Sequence, residues 1–112
     1  MLKTAIDKVT LMSILSKLRA ELKEIYGDRL KKVYLYGSYA REEADAESDI
    51  DVLIVLVEYR RYAEEINRTS QLISSLSLKH GVSLSRLFVT QKKWQDDDSL
   101  FLRYARQEAV AA

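Results

Sequence analysis

Residues 50–57 read Ile-Asp-Val-Leu-Ile-Val-Leu-Val, and this run constrains the fold more than any other stretch of the chain. A near-continuous series of β-branched and leucine side chains of this length predicts a strand buried within a sheet. Its one polar interruption is Asp51, and Asp49 stands immediately ahead of the run. Side chains alternate faces along a strand, so the two carboxylates are expected to point the same way. Asp is disfavoured in strands, so an acid one residue into so apolar a run calls for a reason. Upstream, Lys32 to Tyr36 reads as a second strand, and it ends at Gly37-Ser38.

The rest of the chain supplies elements to cover those strands. Leu11, Ile14, Leu15, Leu18, Leu22 and Ile25 form a helical stripe with Lys17, Arg19, Glu21, Lys23 and Glu24 outside it. This predicts a helix from Leu11 to about Tyr26, stopped by Gly27, while residues 1–10 carry no clear signal. Residues 39–46, rich in Ala, Arg and Glu, predict a short helix with Ser38 as its N-cap. Residues 58–80 read as a long helix ended by Gly81, and Val82 to Val89 as a third strand. Thr90 is placed to cap a turn of helix through Trp94. Asp98 or Ser99 is placed to cap a last helix from Leu100 to about Glu108, with the Ala-rich end fraying. The alternation predicts one α/β (α+β) domain over residues 1–112, a small mixed sheet of three strands or slightly more flanked by helices.

Composition narrows the function. A chain of 112 residues can bury about two thirds of its unfolded surface. The 18 basic and 17 acidic residues leave no global field to attract nucleic acid or an anionic membrane. There is no cysteine, which removes disulfides and thiolate metal sites. The opening Met-Leu-Lys-Thr-Ala-Ile-Asp-Lys lacks the apolar core of a leader, and no stretch approaches the roughly 18 apolar residues of a membrane span. The expectation is a cytoplasmic protein.

Two features can carry chemistry. A glycine just past a strand lets backbone approach a ligand, and free N–H groups there suit phosphate oxygens. For Gly37-Ser38 the alternative is a plain tight turn. Asp49 and Asp51 suit a hard cation such as Mg²⁺, which takes carboxylate oxygens and keeps waters and substrate phosphates in its other positions. Their alternative is a turn end followed by a solvated strand-end residue. Arg41 is read either as a phosphate contact or as a surface partner of Asp45 at helical spacing. His80 sits at a helix C-terminus, where a cation is favourable. Trp94 and Phe101 read as core or interface anchors, Arg60, Arg61 and Arg68 as a solvated helix face. Tyr34, Tyr36 and Tyr39 flank the Gly-Ser turn, where packing and stacking on a nucleotide base are both open.

The combination is more specific than its parts. Gly-Ser, ten residues, then Asp-x-Asp entering an apolar strand resembles the signature of the polymerase-beta-like nucleotidyltransferase superfamily. The wording Leu-Tyr-Gly-Ser-Tyr-Ala-Arg, followed by Ser-Asp-Ile-Asp-Val, is similar to its minimal nucleotidyltransferase (MNT) branch. The flanking helices and the closing Arg-Tyr-Ala-Arg-Gln-Glu-Ala extend the resemblance over roughly Leu11 to Glu108. It implies that Gly37 and Ser38 cradle a nucleoside triphosphate and that the catalytic Asp49 and Asp51 hold the metal. Two positions depart from the pattern. Glu42 stands where members often have Gly, adding a negative charge near a phosphate site. Ser83 or Ser85 stands where the superfamily usually places a third carboxylate. Glu42 or Glu43 could substitute for it, whereas Asp96-Asp97-Asp98 reads more simply as the acidic N-terminus of the last helix.

The resemblance further implies an antitoxin that transfers AMP from ATP, with Mg²⁺, to a tyrosine of a partner HEPN-domain ribonuclease toxin, in a hetero-oligomer without direct nucleic-acid contact. The alternative is a catalytically weak or inactive MNT fold that neutralises its partner by binding alone. Transfer of a nucleotide to a small molecule is a third reading, one that normally needs a further substrate domain.

Overall fold

The computed structural model describes residues 5–112. Helix α1 (Lys8–Tyr26) starts three residues earlier than its apolar stripe suggests, because Asp7 caps it by accepting from the Thr10 N–H at 2.7 Å. Leu11, Ile14, Leu15, Leu18 and Leu22 are buried as read, but the stripe ends on Tyr26, while Ile25 is exposed. The reading of the first ten residues as featureless, and of the opening as lacking a leader, falls partly outside the described residues. After a 3₁₀ turn at Gly27–Arg29 the chain enters β1 (Leu30–Tyr36). The apolar run forms β2 (Ile50–Leu56), of which every residue except Asp51 is buried.

Helix α2 (Tyr62–His80) is shorter than the predicted 58–80, since residues 57–61 form the connection from β2. Gly81 closes it in the left-handed region (φ +62°, ψ +38°), as its position suggested. Val82 donates back to the Ser77 carbonyl, so Val82 and Ser83 belong to the turn. Strand β3 is therefore Leu84–Thr90, two residues later at its start than the predicted strand. Thr90 caps α3 (Gln91–Asp96) and Ser99 caps α4 (Leu100–Glu108), each accepting from the N–H three residues on. The tail does not fray. Val110–Ala111 form β4 against β1, with Tyr34 opposite Ala111 and Leu35 opposite Val110.

The sheet order is β3-β2-β1-β4, with β2 and β3 parallel and the other two pairings antiparallel. The parallel pair needs a crossover, which α2 provides. Strand β2 is central and has helices on both sides, which is why it reads as apolar throughout. Ile50, Val52, Ile54 and Leu56 face the main core with α1, α2 and Phe88. Leu53 and Val55 face a second core of Val89, Leu102 and Ala105, with Tyr34, Tyr36, Leu87 and Trp94 packed against it. Among the described residues no helix is long and apolar enough to cross a membrane.

Residues 39–46 are not helical. Their backbone makes isolated turns, Arg41 N–H to the Gly37 carbonyl and Glu43 N–H to the Ser38 carbonyl. Glu42 takes φ +59°, a left-handed conformation that a right-handed helix cannot contain. The region is ordered instead by a turn in which Asp45 accepts from the Glu47 N–H at 2.8 Å and the Ser48 hydroxyl accepts from the Asp45 N–H at 2.9 Å.

A polar cluster that the sequence did not reveal lies between α1 and α2. Glu65, only 2% exposed, accepts from the Tyr26 hydroxyl at 2.8 Å and the Arg68 guanidinium at 3.2 Å. Arg68 is thus a partner of a buried acid rather than a free surface charge.

Candidate nucleotide and metal site

The site lies where β1 ends and β2 begins. Tyr36, Asp51 and Ser85 stand side by side on β1, β2 and β3, because the register pairs Tyr36 with Asp51 and Asp51 with Ser85. Paired positions share a face, so all three open on the side covered by α4. Gly37 follows Tyr36 at φ +77°, and a Cβ built there would overlap the Asp51 carboxylate. A side chain is thus excluded at position 37 by both conformation and space. Ser38, half-buried, begins the turn.

The electrostatics of Asp51 follow from that crowding. Burial pushes its carboxyl pKa up, the neighbouring Asp49 charge pushes it further, Arg41 pulls it down, and Glu108 raises it again. Asp49 lies one residue ahead of β2 and is exposed, while Asp51 lies within the strand and is partly buried. Tyr36, half-buried beside Asp51, has its hydroxyl pKa pushed up to about 12, first by burial and then by the Asp51 charge. It is a neutral hydroxyl at any physiological pH.

Asp49 is exposed and Asp51 partly buried, so the charge on Asp51, with a second carboxylate near it, is unfavourable without a compensating cation. An all-oxygen donor pair suits Mg²⁺, whose remaining positions are ordinarily filled by water and substrate phosphates. Asp49 and Asp51 therefore fit such an ion as a two-carboxylate site. Among the described residues no group of three His, Cys, Asp or Glu side chains is arranged to hold a metal. The hydroxyl of Ser85 occupies the β3 position beside Asp51, whereas Ser83 lies in the preceding turn and is exposed. Glu42 pairs with Lys8 at 3.1 Å and Glu43 with Arg41 at 3.1 Å, so neither is turned to the pair as a substitute. In the Asp96–Asp98 run, Asp97 accepts from the Ser99 N–H and Asp98 pairs with Arg103, local roles at the start of α4.

Arg41 does not pair with Asp45. Its guanidinium is held between Glu43 and Glu108, the latter at 2.9 Å. Glu108, the last residue of α4, also accepts from the Gly37 N–H at 3.0 Å. Sequence reasoning missed Glu108, because 71 residues separate it from Gly37 and it continues no local motif. Trp94 is a core anchor against Tyr34, with Arg106 over its ring. Phe101 is half-exposed and meets the Tyr36 ring edge-on. His80 ends α2 beside the Gly81 cap, and Tyr39 packs on the main core.

The glycine just past β1 thus stands against Asp51 of the buried neighbouring strand, with Asp49 just ahead of that strand. The chain belongs to the nucleotidyltransferase domain family, which matches residues 15–105. A relative from Methanocaldococcus jannaschii, MJ0141, which bears the provisional name protein adenylyltransferase, is 35% identical over 75 residues, 67% of this chain and 75% of that protein. The crystal structure of a toxin–antitoxin complex with AMP-PNP contains a chain of the same fold, with TM-score 0.60 and 14% identity over 86% of this chain and 69% of that one. A mutant of the MntA-HpeT toxin–antitoxin pair matches likewise, with TM-score 0.55 and 13% identity over 87% and 69% of the two chains.

Proposed function

We propose that this nucleotidyltransferase moves AMP from ATP onto a tyrosine hydroxyl of a partner HEPN-domain ribonuclease toxin, and so neutralises it. The observation that carries the reading is Asp51 packed against Gly37 of the Gly-Ser turn, with the Asp49 charge acting on it. The provisional name of the archaeal relative and the toxin–antitoxin setting of the structural neighbours support the acceptor being a protein. In the reaction the acceptor oxygen bonds to the α-phosphorus and passes its proton to solvent water. The bond from that phosphorus to the bridging oxygen breaks, and pyrophosphate leaves.

The chain's own residues position and neutralise. Gly37 and Ser38 cradle the triphosphate through the backbone N–H groups of the turn. Asp49 and Asp51 hold Mg²⁺, which when bound supplies positive charge to the phosphates and to the developing oxyanion. Preorganised charge of this kind is where most of the barrier lowering is expected. The protein works in the cytoplasm, in a hetero-oligomer with its target.

A second reading, neutralisation by binding alone, is favoured by Ser85 in register with Asp51, where an acid would complete a metal triad. One experiment separates the two. The protein is incubated with ATP, Mg²⁺ and the candidate toxin, and intact mass is read for AMP-sized additions, with Asp49→Ala/Asp51→Ala as control. Additions that vanish in the control support transfer. Absence of additions, with neutralisation surviving in the control, assigns the protein to binding alone.

A further inference from the structure

We infer that Glu108 is a built-in occupant of the anion site on the Gly37 turn, which a triphosphate displaces in order to seat. The inference rests on the proposal that this turn receives the phosphates. One oxygen of Glu108 accepts from the Gly37 N–H at 3.0 Å, and the other accepts from the Arg41 guanidinium at 2.9 Å. A backbone N–H beside a guanidinium is a donor pair that suits phosphate oxygens equally well. The carboxylate thus fills, from inside the chain, the kind of place that the Gly-Ser turn offers a nucleotide.

The fold holds Glu108 there from both sides. Leu102 and Ala105 seat α4 on the face of Leu53 and Val55, so the helix end points at the turn. Directly after it, β4 pairs with β1, and the Ala112 N–H donates to the Val33 carbonyl at 2.9 Å. Release of Glu108 therefore needs only its own side chain to swing away, because the flanking backbone is anchored independently. Glu108 is also a third negative charge in the field of Asp51, so its departure lowers the repulsion that a triphosphate meets on entry. Both its oxygens are used as acceptors from nitrogen donors, which distinguishes this role from that of a metal ligand.

The test compares wild type, Glu108→Gln and Glu108→Ala for binding of metal-free inorganic tripolyphosphate and of Mg²⁺–AMP-PNP by calorimetry. Displacement predicts tighter binding of both probes by the variants, by about tenfold for loss of one charge-assisted competitor. Weaker binding of Mg²⁺–AMP-PNP by the variants makes Glu108 a metal ligand and overturns the inference, as does unchanged affinity. Should the variants fail to fold, wild type decides: tripolyphosphate must shift both the Gly37 amide and the Glu108 carboxyl resonances. Binding with either unmoved, or no binding, also overturns it. AMP transfer with unchanged affinities would remove the displacement and leave the proposed function standing. Tighter binding without transfer would do the reverse.

Discussion

The Asp51 carboxylate stands against the backbone of Gly37, in the space that a Cβ at that position would fill. The Gly37-Ser38 turn and the start of β2 are thus one packed unit. Gly37→Ala combines left-handed strain with displacement of that carboxylate. It is expected to cost about 1–3 kcal/mol of stability and to abolish Mg²⁺–AMP-PNP binding. Urea denaturation and calorimetry on the same preparation check both, and a variant of wild-type stability would contradict the packing described.

Asp51 is a charge that the apo fold bears at a cost, since burial and Asp49 both raise its pKa. Asp51→Asn removes the charge and keeps the shape. The melting temperature of the metal-free protein is expected to rise while transfer activity is lost. A fall in the metal-free melting temperature would show that the carboxylate is stabilising where it stands.

Ser85 lies beside Asp51 in the parallel register. Ser85→Asp would add a third carboxylate at that face. Without metal the like charges lower the melting temperature; with Mn²⁺ the variant gains more than wild type does. If its metal-induced rise were no larger than that of wild type, the β3 position would not face the ion.

Glu108 has its pKa lowered, chiefly by the hydrogen bond from Arg41. A carboxylate of lower folded than unfolded pKa stabilises the fold fully above its unfolded value, about 4.3. That contribution is lost as pH falls from there through the folded pKa. Glu108→Gln should therefore reduce stability at neutral pH and flatten its decline on acidification below about pH 4.3. Chemical denaturation across pH 3–7 for both proteins measures the difference.

Glu42 adopts φ +59°, a conformation natural to glycine. Its ion pair with Lys8 is exposed on both sides and is worth little. Glu42→Gly relieves the left-handed strain, but the unfolded chain gains freedom, so the net gain is expected at about 0.5 kcal/mol. The same position explains why a residue read from sequence as helical sits in a turn.

The elements whose signals are local were legible. The β2 run is apolar because helices cover it on both sides, and the α1 stripe repeats because one face of that helix is buried. Gly81, Thr90 and Ser99 act as caps where their types and positions suggested. The misreadings have a common cause. Composition alone suggested a helix over 39–46, yet the side chains of Asp45 and Ser48 bond to nearby backbone and the loop closes as turns. The Ala-rich end carries no pattern of its own and becomes a strand only because β1 leaves an edge open. Nothing local marks Glu65 for burial, and its partner Tyr26 comes from another element.

By itself the sequence determined the turn at Gly37-Ser38 and the buried strand that Asp51 interrupts, because a glycine past a strand and a continuous apolar run are local signals. Tertiary structure alone decided what surrounds them. Ser85 comes beside Asp51 through the crossover of α2, and Glu108 comes to Gly37 and Arg41 through the return of the chain along α4. Such neighbours are set by strand register and helix packing between residues distant in sequence, and no local pattern encodes them.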